Sequence, residues 1–376
     1  MHRRISMFFS VVLYLATFGI SCFFLYIKER IPNSRKYFIV NWMFCILMLL
    51  CPTIMAAVRK DIGYDYSAYV RIYDLLKNCS VKDYINNYFS SYEPGYYLIN
   101  RLAFCIYDSI HTTNFLSMLI ILIFIYAAIK NFEHYSSMVF SLFIFYMAYY
   151  NASLNIIRQL LAMSVCLYAY KYIVRHNFLL YTIFILIGCT FHRTAIIALP
   201  FYFFIASQSK KVNFLKIGIL ITSCLLIPII APPLLKIASQ IVYFQKYFDR
   251  YSISFNRGGI GFLLWILPVI VPLCIYYKDL IRTDSRLISL FCIYVLFIPL
   301  RYLAYYAWWL SRLSFYASVS EIVLVPILLA SIRNQRSKKV LTVYYTFWYL
   351  FYYICMYIFN MRQDFTYPFI SIWSKV

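Results

Sequence analysis

Charge is scarce in this sequence, and acid is scarcer still. Only 13% of the 376 residues are charged, and 13 Asp and Glu face 35 Lys and Arg. A soluble domain of this length would need far more polar surface to cover its core, so a water-soluble globular fold is excluded. No nucleotide-binding glycine motif and no cluster of metal-ligand spacing is present, so neither a bound cofactor nor a metal is expected. The 11 cysteines show no CxxC spacing, and Cys45, Cys166, Cys224 and Cys292 lie inside apolar runs. That pattern fits buried free thiols and excludes a disulfide scaffold. A cleavable leader is not expected either, because the first apolar stretch, 6–27, is too long for a signal core and lacks an A-x-A site.

What is abundant is apolar and aromatic surface. Hydrophobic residues make up 64% and aromatics 21%, with 40 Tyr and 34 Phe; the mean hydropathy is +0.73. Spanning a bilayer takes roughly 20 apolar residues. Twelve runs qualify or nearly so: 6–27, 38–58, 114–129, 136–150, 158–174, 178–191, 194–207, 216–235, 261–277, 287–306, 313–331 and 340–360. The runs 136–150, 178–191 and 194–207 are short, which suits tilted or broken helices. The expectation is an all-α polytopic membrane protein of about 12 transmembrane helices, forming a single domain over residues 1–376.

The net charge of +22 has no soluble basic domain to carry it, so no nucleic acid partner is expected. It sits in short loops: Lys28/Arg30/Arg35/Lys36, Lys130, Lys171/Arg175, Lys210/Lys211/Lys216, Lys278/Arg282/Arg286 and Arg333/Arg336/Lys338/Lys339. With twelve crossings all six fall on one side, which the positive-inside tendency makes cytoplasmic. Both termini then lie outside, as do two longer loops, 59–113 and 236–260. The first loop ends in a helical pattern over 94–108, with Pro94 suited to the first turn. It is too short and too polar to span, and a crossing there would invert every later loop. It reads as an in-plane or re-entrant helix.

The unusual polar residues gather on the outer side. Arg158, Arg193, Arg301 and Arg312 stand at helix ends where arginine should be depleted. A lipid diphosphate would explain them, because the guanidinium fork matches phosphate oxygens and helix N-termini add backbone N–H groups. Plainer roles compete at each position. Arg59 can snorkel as an interfacial anchor, and His192 can be a packing residue. Glu93 can be a helix cap, Trp308-Trp309 an aromatic belt, and Arg158 and Arg312 structural partners of Glu321 or Asp65.

Taken in order, the motifs are Arg59-x-Asp61-x-Gly63-x-Asp65-x-x-x-Tyr69, Glu93-Pro94-Gly95-Tyr96, Ile157-Arg158-Gln159-x-Leu161-Ala162, Phe191-His192-Arg193-Thr194-Ala195, and Arg312 with Tyr316. In this order they resemble the EpsG-like branch of the Wzy-type polysaccharide polymerases. The resemblance implies a glycosyltransferase of the bacterial inner membrane. It would move a growing glycan from undecaprenyl diphosphate onto a new lipid-linked repeat unit at the periplasmic face. A chain-length regulator and a flippase would be further candidate partners. Arg59, Tyr69, Arg158, Gln159, Arg193 and Arg312 become candidate substrate-binding residues. His192, Asp65 and Glu93 become candidate general bases for the acceptor hydroxyl, His192 ranked first because imidazole titrates near neutrality. The competing functions are a flippase for the same lipid-linked oligosaccharide, an O-antigen ligase, or a membrane O-acyltransferase. A transporter needs polar groups through the midplane, and Glu321 alone is clearly deep.

Overall fold

The computed structural model describes residues 2–32, 34–204, 263–303, 310–359 and 364–373, with a few isolated positions between 222 and 240. The expected helix at 216–235, the second outer loop at 236–260 and Trp308-Trp309 lie outside the described residues. What is described is all-helical, as the apolar periodicity requires, apart from one isolated β-bridge between Arg59 and Ser371. The chain is a multi-pass membrane protein.

Among the described residues, six helices are long and apolar enough to cross a bilayer: Met7–Arg30, Arg35–Ala57, Ile110–Lys130, Leu263–Thr283, Ser285–Tyr302 and Ser311–Ser331. That is fewer than the twelve runs read from the sequence, and the reasons are local. Phe178–Phe191 and Arg193–Phe203 are apolar but short. The described part of the run at 194–207 lies in a 3-10 helix, Arg193–Phe204, with Pro200 inside it. The run at 136–150 continues to Asn155 through a π-helical stretch, Tyr146–Tyr150.

We label the longer elements α1 (His2–Arg30), α2 (Phe38–Ala57), α3 (Tyr66–Leu76), α4 (Pro94–Ile106), α5 (Ile110–Lys130), α6 (Met138–Phe145), α7 (Asn151–Asn155), α8 (Ile157–Val174), α9 (Phe178–Phe191), α10 (Leu263–Thr283), α11 (Ile288–Val295), α12 (Phe297–Tyr302), α13 (Ser311–Ser318), α14 (Glu321–Ser331) and α15 (Gln335–Tyr353). Two of them, α8 and α14, are buried on nearly every side. A helix apolar all round belongs at the centre of a bundle, and α8 packs there between α5 and α9.

Contacts sort the loops to two ends. At one end the Met138 N–H donates to Glu29 (3.1 Å), Lys171 to Asn131 (3.4 Å) and Tyr135 to Asp284 (2.9 Å). These ties join the basic loops to one another. At the opposite end the segment 58–64 and the C-terminal tail zip together. Lys60 N donates to Ile370 O, Gly63 N to Phe365 O and Ile372 N to Val58 O, at 2.9, 3.0 and 2.9 Å. Gly63 is required there: its φ is +100°, and a Cβ would stand 3.0 Å from the Leu154 carbonyl.

Helix α4 follows the expected 94–108 pattern but ends at Ile106, with Asp108 beyond it tied to Tyr73 and Lys77. Its inward face is Tyr96, Asn100 and Ala103. Its outward face is apolar, with Leu98, Leu102 and Ile106 exposed by 62%, 52% and 61%. Spacing of four residues puts those three on one stripe, the pattern of a helix laid along an apolar surface.

Cysteine labelling in intact cells checks this division. Single cysteines placed at Ser34 and Arg336, in an otherwise cysteine-free chain, should label from one side of the membrane, and one at Lys82 from the other. Labelling of all three from the same side would break the two-ended arrangement.

Candidate functional site

The site end is organised by a break in the central helix. α7 stops at Asn155 and α8 begins at Ile157, with Ile156 between them at φ −101° and ψ 56°. A break inside apolar surroundings must find hydrogen-bond partners within the protein. Here the side chains around it reach in three directions. Asn155 accepts from the Asp65 N–H at 2.9 Å and donates to Asp364 at 2.8 Å. Arg158 donates to Glu93 at 2.6 Å. Gln159 donates to the Arg312 carbonyl at 2.7 Å.

Glu93 occupies the N-cap position of α4, yet its carboxylate does not cap that helix. It turns to α8 and α9 instead. One oxygen takes Arg158; the other lies 3.1 Å from His192 Nδ1 and accepts weakly from the Arg193 N–H at 3.4 Å. Only 5% of Glu93 is exposed. Burial by itself would raise this carboxyl. The hydrogen bond from His192 and the Arg158 charge outweigh it and hold the pKa at about 2. A carboxylate so fixed is a poor base. It is suited instead to orienting His192, because accepting from Nδ1 fixes the ring and turns Nε2 outward. Nε2 has no hydrogen-bond partner among the described residues, and the His192 side chain is 19% exposed.

The sequence places Glu93 here through its neighbours. Pro94 starts the helix, and Gly95 lets it dock. A Cβ on Gly95 would lie 2.7 Å from Thr190 Oγ1, 2.8 Å from the Thr190 carbonyl and 2.9 Å from the Phe191 ring. The turn that carries His192 therefore approaches α4 only over a glycine.

Other candidates divide. Tyr69 is buried, and its hydroxyl lies 3.5 Å from the Arg158 N–H, so it belongs to this cluster. Thr194 and Tyr316 join below it through a hydroxyl contact of 3.0 Å. Arg193 donates to the Phe89 and Ser90 carbonyls, the latter at 2.8 Å, clamping the loop that leads into Glu93. Asp65 is half-buried, and among the described residues its carboxylate makes no hydrogen bond; it lies near Asp364. Arg59 stands apart. It is 2% exposed, bonds Asn114 at 3.2 Å and faces the Tyr66 ring. Its place is in the packed joint beneath the zipped segment.

Two features went unread in the sequence. Asp364 follows the last helix and faces Arg312, with Asn155 between it and Asp65. Burial holds its carboxyl above the ordinary aspartate value, and Asn155 and Arg312 only partly offset that. Its signal was present, as one of only 13 acids and on the side expected to lie outside. The second is a cavity of about 350 Å³ beside α8, running from Asn155, Arg312 and Asp364 to Glu321 and walled by Trp265 and Trp348. Among the described residues, no Arg holds Glu321. It accepts from Tyr149, Tyr294 and Tyr349 at 2.8, 3.2 and 3.2 Å. Among the described residues, no group of His, Cys, Asp and Glu could hold a metal.

Comparison with known proteins bears on what such a site serves. The model of the EpsG family matches residues 41–371. The chain belongs to the EpsG family. No curated protein and no solved structure matches it. The match takes in every motif from Arg59 to Tyr316, and it extends past them to the C-terminal tail that zips onto segment 58–64. In this EpsG-family chain the match therefore takes in the Glu93–Arg158–His192 cluster and the break it surrounds.

Two outcomes follow from the geometry. Gly95→Ala should lower the thermal midpoint in detergent by several degrees, since the Thr190 carbonyl is backbone and cannot swing aside; an unchanged midpoint would show that the joint is slack. Glu93→Gln should also lower it at pH 7. The folded-state pKa is depressed, so the carboxylate's contribution is full above the ordinary glutamate value and fades as pH falls toward 2. The gap between wild type and variant should narrow from pH 5 downward; a constant gap would remove the charge term.

Proposed function

We propose that this chain polymerises lipid-linked oligosaccharide repeat units at the periplasmic face of a bacterial inner membrane, within a scaffold of about twelve crossings. A growing glycan leaves undecaprenyl diphosphate and joins a hydroxyl of a new lipid-linked unit. The acceptor oxygen attacks the anomeric carbon, the bond from that carbon to the diphosphate oxygen breaks, and the lipid diphosphate departs with the electron pair. The hydroxyl proton passes to His192 Nε2. The observation that carries this reading is the Glu93 carboxylate, which ties an imidazole and a guanidinium to one point in a chain of this family.

Each residue then has a distinct task. Glu93 holds the His192 tautomer. Arg158 retains donors beyond the one Glu93 takes, since guanidinium offers five, and those donors face the leaving diphosphate together with Arg312. Gln159 fixes the backbone at Arg312. Arg193 holds the loop that carries Glu93, and Arg59 holds the joint. The apolar stripe of α4 rests on the outer leaflet, where the lipid-linked substrate arrives. A transport reading finds less support: below Glu321, α14 continues as Ile322, Val323, Leu324 and Val325, all buried and apolar, so its polar surface ends part-way.

Deletion of the gene should leave a single repeat unit on its acceptor and remove the polysaccharide ladder; a normal ladder would end the proposal. With purified protein and lipid-linked repeat units, His192→Ala should cut turnover about 100- to 10,000-fold while substrate still binds. Arg158→Lys should recover little activity, because a point charge does not reproduce the fork. Near-normal turnover of His192→Ala would pass the role of base to Asp65.

A further inference from the structure

The cavity beside α8 has a composition that ordinary packing does not need. Its mouth is polar, with Asn155, Arg312 and Asp364. Its walls are aromatic, with Trp265, Trp348 and Tyr352. Its floor is Glu321. Arg312 and Glu321 are nine positions apart along α13 and α14, so the chamber is roughly 13 Å deep at ~1.5 Å per residue. A cage built only to neutralise a buried acid would close over it. Here Glu321 and all three tyrosines that donate to it, Tyr149, Tyr294 and Tyr349, border open space.

We infer that this chamber receives a saccharide end, the terminal or branch sugar of the lipid-linked repeat unit. The assignment rests on the polymerase reading for its substrate and on the chamber for its chemistry. Three ligand classes can be weighed. A polyprenyl tail offers no hydrogen bond to the polar side chains that line the chamber, Asn155, Asp364 and Glu321 among them. A diphosphate would meet two acidic side chains, Asp364 and Glu321, along with the arginines, and has no apolar face to set against the aromatic walls. A sugar is uncharged in its ring, presents apolar C–H faces to aromatic walls, and needs both donors and acceptors for its hydroxyls. Trp265 and Trp348, with ring centres 5.9 Å apart, make a continuous aromatic wall. Asn155, Arg312, Asp364 and Glu321 provide both hydrogen-bonding senses. The volume lies at the small end of ordinary ligand sites, about 300–1,000 Å³, which suits a chain end. Beyond Glu321 the apolar, buried residues of α14 close the floor, so a long glycan does not thread through.

The experiment is equilibrium binding to the purified full-length protein in nanodiscs, by titration calorimetry. The probe is a short oligosaccharide made by partial hydrolysis of the strain's own surface polysaccharide. Undecaprenyl phosphate and inorganic pyrophosphate are the comparison ligands. Glu321→Gln and Trp348→Leu, each shown to fold by its melting curve, should weaken the oligosaccharide at least about tenfold and leave pyrophosphate unchanged. Unchanged oligosaccharide affinity in both chamber variants overturns the assignment. So does a loss of undecaprenyl phosphate binding in them, which would make the chamber a lipid site. If deletion of the gene leaves the polysaccharide ladder intact while the two variants still lose the oligosaccharide, the chamber assignment stands and the polymerase reading falls.

Discussion

A helix cannot be interrupted in an apolar environment unless other parts of the chain satisfy the backbone it frees and the polar side chains it turns inward. The interruption at Ile156 is where this fold meets that constraint. Three distant segments converge on it: the turn at Gly63–Asp65, the N-terminus of α4 at Glu93, and the tail at Asp364. None of them forms a stable unit alone. Segment 58–64 has its partners in the tail, α4 docks against the turn after α9, and the tail has its partners in segment 58–64 and α7. The site end is a set of mutually dependent pieces held by one break in the central helix.

That dependence explains why so few of the motif residues are free to touch a ligand. Gly63 and Gly95 exist for close approach, over Leu154 and Thr190. Arg59 and Arg193 bond protein acceptors, Asn114 in one case and backbone carbonyls in the other. Gln159 holds a backbone carbonyl. What is left is narrow: the far nitrogen of His192 and the remaining donors of Arg158. A short list of reactive groups on a long list of supports is what a precisely held site requires, since a loose first layer loses its geometry.

The membrane class, the two-ended distribution of charge and the short helix near 94–108 were legible in the sequence because each rests on composition or period alone. Helix number was less legible. Arg193–Phe204 is a 3-10 helix and Tyr146–Tyr150 a π-helical stretch, and hydropathy does not register that change. The pairings within the site were not legible at all. Nothing in the spacing says that Arg158 answers to Glu93, 65 positions earlier, in preference to Asp65 or Glu321. Asp364 was overlooked for a related reason: an acid just after the last helix looks like an ordinary solvated end until the tail folds back onto Gly63.

Arginine is depleted at the outward ends of membrane helices because it resists translocation, so its accumulation here needs a cause at each position. For Arg59 and Arg193 the cause is structural. Each satisfies acceptors that would otherwise be stranded, Asn114 beneath the zipped joint and the carbonyls of Phe89 and Ser90 at the end of a loop. A guanidinium suits that work because its planar fork reaches two acceptors at once and is weakly hydrated. Arg158 is different. Its partner Glu93 already has His192 and the Arg193 N–H on its other oxygen, so the carboxylate has no need of a second cation to be stable. Around Glu93 the pairing is therefore unequal, one carboxylate to one guanidinium with an imidazole and a backbone N–H added. The surplus is of hydrogen-bond donors. A fold that needed only to satisfy its broken helix would have balanced these groups. The leaving diphosphate proposed above would take up those donors.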